Sequence, residues 1–369
     1  MRVLRILTRT NLGGPARQMR ALAPEFARLG VSQTIVVGSL APGETALPLP
    51  AVEGSESVPV AELVRGFSPR SDRAALRALV RIAKECSPDV VHAHTAKAGA
   101  LAVRLGHLTN LPVVHTYHGH VLRDYFSWPI SRAFALVEKR LNRRRAAITC
   151  VSRSCGEELQ ALGVLDPEAW TVVEPAVLVR ASGTRECLRE RLGIGDQRAI
   201  AWCGRFENVK DPELFVHTAL RLQAAGARLH AFGTGSRLAH CQDVADRLGA
   251  SIVWHGADER FPEWIHAFDA FVSTSRREGY PVAAIEAHLA GVPVVAPRVP
   301  GFVDLEEDAC GDGVRLVTRE VDALACAALE AVPPTSGAMQ AANARHAPAR
   351  IAAAYVSLYE RVATNPRRA

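Results

Sequence analysis

The chain lacks the residue patterns that mark several large classes of protein. Its eight cysteines, Cys86, Cys150, Cys155, Cys187, Cys203, Cys241, Cys310 and Cys326, are scattered along 369 residues with no C-x-x-C pair and no zinc-type doublet. That spacing argues against a zinc ribbon or a dithiol redox centre and suits reduced thiols in a cytosolic protein. No G-x-x-x-x-G-K-[ST] occurs, so there is no P-loop. Phe232-Gly233-Thr234-Gly235 begins like a dinucleotide fingerprint, but residue 238 is Leu, and the G-x-G-x-x-G of a Rossmann dehydrogenase fails there. No segment approaches the roughly 20 uninterrupted apolar residues of a membrane-spanning helix. The opening MRVLRILTRTN has only a short apolar core before a glycine turn, which suits a first buried strand better than a signal peptide.

What is present points to a large α/β protein. At 369 residues with 48% hydrophobic content, the chain exceeds one typical core and accommodates two α/β domains. The net charge of +6 comes largely from arginine, with a dense run in EKRLNRRR (138–145). A basic helical face is ordinarily just solvated, although it also suits an anionic membrane surface, so a peripheral position on the inner face of the plasma membrane is open to it. Nucleic acid is not expected as a partner, because the run lacks interleaved aromatics and no DNA- or RNA-binding motif accompanies it.

The first half alternates strand and helix: RVLRILT, a helix near Pro15–Leu29, QTIVVG, a helix near Asp72–Cys86, DVVHAH, a helix from Lys97, and PVVHTYH. Such alternation implies a parallel sheet with helices on both faces. A break with turn residues and one short strand follows at Asp166–Ser182, and the linker is expected there, between a first domain of residues 1–172 and a second of 173–349. The second half repeats the pattern: AIAWCG (199–204), a helix over Pro212–Ala225, RLHAFG, a helix near Arg237–Leu248, SIVWHG, then AFDAFVSTS as a buried strand, a helix over Pro281–Ala290 and VPVVA as another strand. The Ala-rich tail reads as one helix from Arg345 to Tyr359, with the segment from about 350 to 369 crossing back to brace the first domain. Two doubly wound Rossmann-like domains would put a crevice at the carboxyl ends of both sheets.

The polar motifs fall at those strand ends. Glu278 sits in the loop before a helix and Glu286 inside it, while Pro281 suits the first helical turn. The amides at that helix start form an anion site, so a phosphate-bearing ligand there could also meet a carboxylate suited to sugar or ribose hydroxyls. Arg205 and Lys210 place a planar fork of donors and a mobile point charge just past the first strand of the second domain, a combination suited to a diphosphate and otherwise read as surface salt bridging. Gly13 and Gly14 allow close backbone approach to a bound phosphate or form an ordinary tight turn. Gly233 belongs to a turn facing the same ligand. His92 and His94, at i and i+2 on a strand, share one face; without an acidic or cysteine partner they read as hydrogen-bonded strand-end histidines rather than a metal site. His118, beside Gly119 where strand gives way to loop, is the better site candidate. Lys97 either steers an anionic acceptor or is solvated.

Taken in order, GGPARQMRALA, DVVHAHTAKAGAL, VVHTYHGHV, CGRFENVKD, FGTGS and EGYPVAAIEAHLAGVPVVAP resemble family 4 of the retaining glycosyltransferases over residues 1 to about 305. The resemblance implies the GT-B fold, two Rossmann-like domains facing each other across a cleft, with the donor held mainly by the second and the acceptor by the first. It implies that Arg205 and Lys210 hold the donor diphosphate, that Glu286 binds the ribose, and that Glu278 and the loop Gly279-Tyr280-Pro281-Val282 contact the transferred sugar. His118 then matches the histidine beside the reacting carbon, with Lys97 on the acceptor side and Gly13 and Gly14 near the phosphates. No cofactor or metal is implied, since the nucleotide sugar is a substrate and no Asp-x-Asp occurs. The partners implied are a nucleotide-sugar donor, UDP-linked by preference, and a glycan or polyprenyl-linked acceptor of a bacterial surface polysaccharide. A sugar-nucleotide 2-epimerase of the same architecture and a non-catalytic sugar-nucleotide-binding protein are the alternatives. Two departures stand out: Glu174-Pro175-Ala176-Val177-Leu178 lacks the aspartate of the family's Gly-x-Asp turn, and Pro300-Gly301-Phe302-Val303-Asp304 replaces a glycine pair followed by Glu.

Overall fold

The structure is a computed structural model that describes residues 1–41, 43–120, 122 and 128–364. The chain forms two units, Met1–Ala176 with the segment from Ala347 onward, and Val177–His346.

The described residues of the first unit form seven parallel strands, β1 (Arg2–Leu7), β2 (Ser32–Val37), β3 (Ser55–Pro59), β4 (Val90–Ala93), β5 (Val113–Tyr117), β6 (Ala147–Cys150) and β7 (Thr171–Val172). They are ordered β3-β2-β1-β4-β5-β6-β7. Central strands of such a sheet are covered on both faces, which is why β1, β4 and β5 read as nearly continuous apolar runs. Alternation sends Leu4, Ile6, Val91 and Ala93 to the face packed with residues of helices Pro69–Cys86 and Ala96–Thr109. Val3, Val90 and Val114 go to the other, packing with Leu22 and Phe26 of helix Gly14–Arg28 and with Ile351, Tyr355 and Tyr359 of the terminal helix.

The tail is two helices, Ser336–His346 and Pro348–Thr364, not the single one expected. Proline cannot supply the N–H that would continue the first helix, so it opens the second. The first helix lies in the second unit and the second braces the first; residues 365–369 of the expected bracing segment, like Val121 of the VVHTYHGHV motif, lie outside the described residues. The first unit also extends four residues past the expected boundary at 172, because Val173 and Ala176 are buried in its core. Glu174, in the departing turn, accepts a hydrogen bond from Arg350 at 3.2 Å and so ties this exit to the terminal helix.

The second unit carries six parallel strands, β8 (Ala199–Cys203), β9 (Arg228–Phe232), β10 (Ile252–Gly256), β11 (Ala270–Val272), β12 (Val294–Pro297) and β13 (Val314–Val317). Their order is β10-β9-β8-β11-β12-β13, the Rossmann arrangement, in which the winding reverses between β8 and β11. Trp202 and Phe206 fill its core together with Phe215 of helix Pro212–Gln223. The strand expected over AFDAFVSTS is shorter than its apolar run suggested: β11 ends at Val272, and Ser273, Thr274 and Ser275 form a loop.

Candidate functional site

In an open parallel sheet the ligand crevice lies beyond the carboxyl ends of the strands where the winding reverses. In the second unit that point is flanked by the segment after β8, residues 204–210, and the segment after β11, residues 273–281. Both carry the polar residues singled out from the sequence.

The two segments are bolted together by a side-chain hydroxyl and a backbone hydrogen bond. Thr274 Oγ1 donates to the Lys210 carbonyl at 2.8 Å and accepts from the indole N–H of buried Trp202 at 3.1 Å. Arg276 N–H donates to the Val209 carbonyl at 2.8 Å. Lys210 ends a single turn of 3-10 helix, Asn208–Lys210, and its ammonium pairs with Glu278 Oε1. The same carboxylate oxygen accepts from Ser275 Oγ at 2.7 Å, and Ser273 Oγ donates to Ser275 Oγ at 3.1 Å. A hydroxyl relay on one side and a cation on the other thus fix the Glu278 carboxylate. Next along the chain, Asp211 takes up left-handed backbone (φ 45°) and its carboxylate binds Arg276, at 2.9 Å, and Arg319. Arg205 differs from these cations: among the described residues its side chain has no hydrogen-bond or ion-pair partner, so its charge is available to a ligand.

The glycines nearby serve the loops. Gly233 has φ +136°, and a Cβ there would lie 1.9 Å from the Gly204 carbonyl oxygen; at Gly235 (φ +158°) it would meet Phe206 backbone at 2.6 Å. This close approach lets Phe206 N–H donate to Thr234 O at 3.0 Å and Arg237 N–H donate to Phe206 O at 2.9 Å. Gly233 therefore holds the Arg205 loop in place, a structural task that its expected role as a ligand-facing turn did not include.

The loop before helix Val282–Leu289 is supported from below. Tyr280 is buried and its hydroxyl donates to Asp308; burial, and then the Asp308 carboxylate, pushes its pKa upward. Its side chain is an anchor, leaving only its backbone for a ligand. Pro281 precedes the helix as its N-cap instead of lying in the first turn; it has no N–H to offer, and its carbonyl accepts from Ala284 and Ile285 at 2.9 and 3.1 Å. Gly301 (φ +83°) packs against Glu278 and Gly279, where a Cβ would come within 2.9 Å of the Glu278 carbonyl oxygen. The departure at 300–304 thus supplies the floor of this loop. Glu286 sits inside the helix and is only 3% exposed, in an environment unlike that of loop-borne Glu278.

The first unit holds the other candidates. Gly13 caps helix Gly14–Arg28 with φ −117°, a conformation open to any residue, and its N–H donates to the Asn11 carbonyl at 2.6 Å. Lys97 is neither solvated nor a free steering charge. It pairs with Asp72 at 2.5 Å and donates to the Gly66 carbonyl, which pins helices Pro69–Cys86 and Ala96–Thr109 to each other. His92 is closed off: its ring nitrogens meet Tyr359 Oη at 2.6 Å and Thr116 Oγ1 at 2.7 Å. His118 Nε2 is 3.2 Å from His94 Nδ1, whose other nitrogen faces Arg5 Nη2 at 3.3 Å. Burial, and then the Arg5 guanidinium, pushes the His118 pKa down to about 3, so its imidazole is neutral at physiological pH.

Sequence reasoning missed Ser273, Thr274, Ser275, Asp211, Arg319 and Arg5. The run of three hydroxyls directly after an apolar strand was the one local signal; the others become neighbours only through the fold. The basic run at 138–145 also proved divided. Arg145 is buried and donates to Tyr117 Oη at 2.8 Å and Glu138 Oε2 at 3.2 Å, so two members of the run face inward. The remaining arginines of the run are on the surface.

Two Rossmann-like domains, the second with two cations and a carboxylate at its switch point, place the chain in the GT-B class. It belongs to the family 4 glycosyltransferases: the Glycosyltransferase Family 4 model matches residues 12–179, and the Glycosyl transferases group 1 model matches residues 197–332. Among its relatives is the O-antigen biosynthesis glycosyltransferase WbnH of Escherichia coli, 26% identical over 261 residues, spanning 70% of this chain and 72% of that one. Another is the D-inositol 3-phosphate glycosyltransferase of Paenarthrobacter aurescens, 26% identical over 325 residues and covering 79% and 78%. The fold is shared with the crystal structure of Anabaena Alr3699/HepE in complex with UDP and glucose, at a TM-score of 0.79 and 18% identity, with 98% and 100% of the two chains covered. No described helix is long and apolar enough to cross a membrane.

Proposed function

We propose that this glycosyltransferase moves a sugar, with retention and without a metal, from a nucleotide-diphosphate donor, UDP-linked by preference, to a glycan or polyprenyl-linked acceptor of a bacterial surface polysaccharide. The observation that carries the reading is the Lys210–Glu278–Ser275 cluster at the switch point, with Arg205 close by in sequence and unpaired among the described residues. An arriving diphosphate competes with Glu278 for the Lys210 ammonium. Arg205 and Lys210 then stabilise charge on the leaving group, the role a metal would otherwise take. Glu278, released from Lys210 but still held by Ser275, accepts hydroxyls of the transferred sugar, and the amides of Gly279, Tyr280 and Val282 complete that subsite. Glu286 binds the ribose. His118 donates to the transferred sugar, and the leaving phosphate helps deprotonate the acceptor on the same face. The relatives named for O-antigen biosynthesis and for D-inositol 3-phosphate support a hydroxyl acceptor, and the UDP and glucose complex of HepE supports the donor class.

We propose further that the enzyme works at the inner face of the plasma membrane. Helix Trp128–Asn142 exposes Ile130, Phe134 and Val137 at i, i+4 and i+7, with Trp128 71% exposed at its start. Exposed Arg132, Arg140, Arg143 and Arg144 add the charge that anionic lipids would attract. Cosedimentation with anionic but not zwitterionic vesicles is expected, and equal recovery with both would remove this element.

The decisive assay incubates the protein with UDP-sugars and an acceptor panel, with and without a chelator, and follows UDP release and product anomer by NMR. UDP release that requires acceptor, a product anomer matching the donor, and indifference to the chelator are expected. Epimerised donor without acceptor, or binding with no release, would overturn the transferase reading.

A further inference from the structure

Arg5 is the least expected residue of the first unit. It lies on β1, is wholly buried, and among the described residues no carboxylate stands within ion-pair reach of it. Burying a charge without a counter-charge is expensive, so its neighbours matter. Nη1 donates to Gln33 Oε1 at 3.0 Å, and the Gln33 amide is itself oriented by donating to the Ala23 carbonyl at 3.2 Å. The guanidinium rests 5.0 Å from the centre of the Phe26 ring. Its remaining hydrogen-bond partner is His94.

Donor and acceptor roles along this line can be assigned in order. A guanidinium has only N–H donors and keeps its proton in proteins, even where burial presses its pKa downward as here. His94 Nε2, 3.3 Å from Arg5 Nη2, is therefore an acceptor. Burial holds the His94 imidazole well below its ordinary pKa, so the ring is neutral and its single proton is on Nδ1. That nitrogen is 3.2 Å from His118 Nε2, which must accept. A neutral His118 then has its own proton on Nδ1, and no described residue bonds that nitrogen. The other groups around His94 do not compete. His92, with its ring centre 4.0 Å away, has both nitrogens engaged by Tyr359 and Thr116, and His115 points to the opposite face of β5.

We propose that Arg5 and His94 are positioning residues that lock His118 in the Nδ1-protonated neutral tautomer, so that it meets the transferred sugar as a hydrogen-bond donor and never as a base. The second half of this statement rests on the reading of His118 given under Proposed function; the tautomer itself does not.

Long-range 1H–15N correlation spectra of the full chain labelled with 15N-histidine test it, with His118→Gln assigning the signal. In the wild type, His118 Nδ1 is expected to be the protonated nitrogen and Nε2 the bare one. In His94→Phe the proton should redistribute toward Nε2, with kcat falling about tenfold while donor Kd stays unchanged. A wild-type His118 protonated on Nε2 overturns the proposal without recourse to any variant. So does a folded His94→Phe protein that keeps the wild-type tautomer or the wild-type kcat. The expected tautomer in a chain that transfers no sugar from any donor would uphold the relay and overturn the sugar-contacting role of His118.

Discussion

In the first unit the candidate His118 and its polar neighbours lie on the sheet and its immediate continuations, whereas in the second the candidate residues lie on loops beyond the strands, apart from helix-borne Glu286. Arg5, His92, His94, Thr116 and His118 follow the period-two face of β1, β4 and β5 and their immediate continuations, and each is hydrogen-bonded to another polar group of the cluster. Lys210 and Glu278 hold each other across a gap between two loops, at an edge still open to solvent. A buried network fixes proton positions; a partly exposed ion pair can exchange partners. Under the proposed function, one unit presents a single preset group, and the other trades internal contacts for contacts with a charged donor.

The largest effect should come from breaking the exchangeable pair. Lys210→Ala removes a diphosphate cation and leaves Glu278 with Ser275 alone, and kcat/KM should fall about 10²- to 10³-fold with Tm close to the wild type. A loss below tenfold would place Lys210 among ordinary surface salt bridges and erase the contrast. Next, Gly233→Ala forces a Cβ onto the Gly204 carbonyl at a left-handed φ and should destabilise the protein by about 3 kcal/mol in denaturant titration. A neutral substitution would mean that the Arg205 loop is not held by this contact.

A smaller and graded effect should appear on acidification. His92, His94, His115 and His118 all have folded-state pKa values below the unfolded 6.5, chiefly through burial, so the unfolded chain binds the extra protons. Their contribution to stability is therefore present above about pH 6.5 and is lost as pH falls toward the folded values, about 3 for His118. Each histidine adds a slope of up to about 1.4 kcal/mol per pH unit in that window. Urea midpoints measured between pH 7 and 5 check this; a flat profile would show that these histidines are not kept neutral by the fold.

Much of the fold was legible because a parallel sheet writes its strands as apolar runs and its crossovers as periodic helices. The strand carrying His92, the strand leading into His118, and the loop carrying Glu278 could be placed from local pattern alone. What could not be read depended on which strands become neighbours. The i, i+2 spacing of His92 and His94 put them on one face, but only the adjacency of β1 to β4 places Arg5 beside them. Likewise nothing local to Lys97 announces Asp72, and nothing in Pro300-Gly301 announces that Gly301 supports the Glu278 loop. The apolar reading of AFDAFVSTS overran at its end because the three hydroxyls there bond within and between the loops, Thr274 to the Lys210 carbonyl and Ser275 to Glu278, and not in the strand.

The division of labour between the units is tested most directly by donor affinity, measured by calorimetry with a UDP-sugar on two variants side by side. Glu286→Ala should weaken binding about tenfold, while His118→Ala should bind as the wild type does and turn over more slowly. Unchanged affinity in Glu286→Ala, or an equal loss in both, would contradict the account.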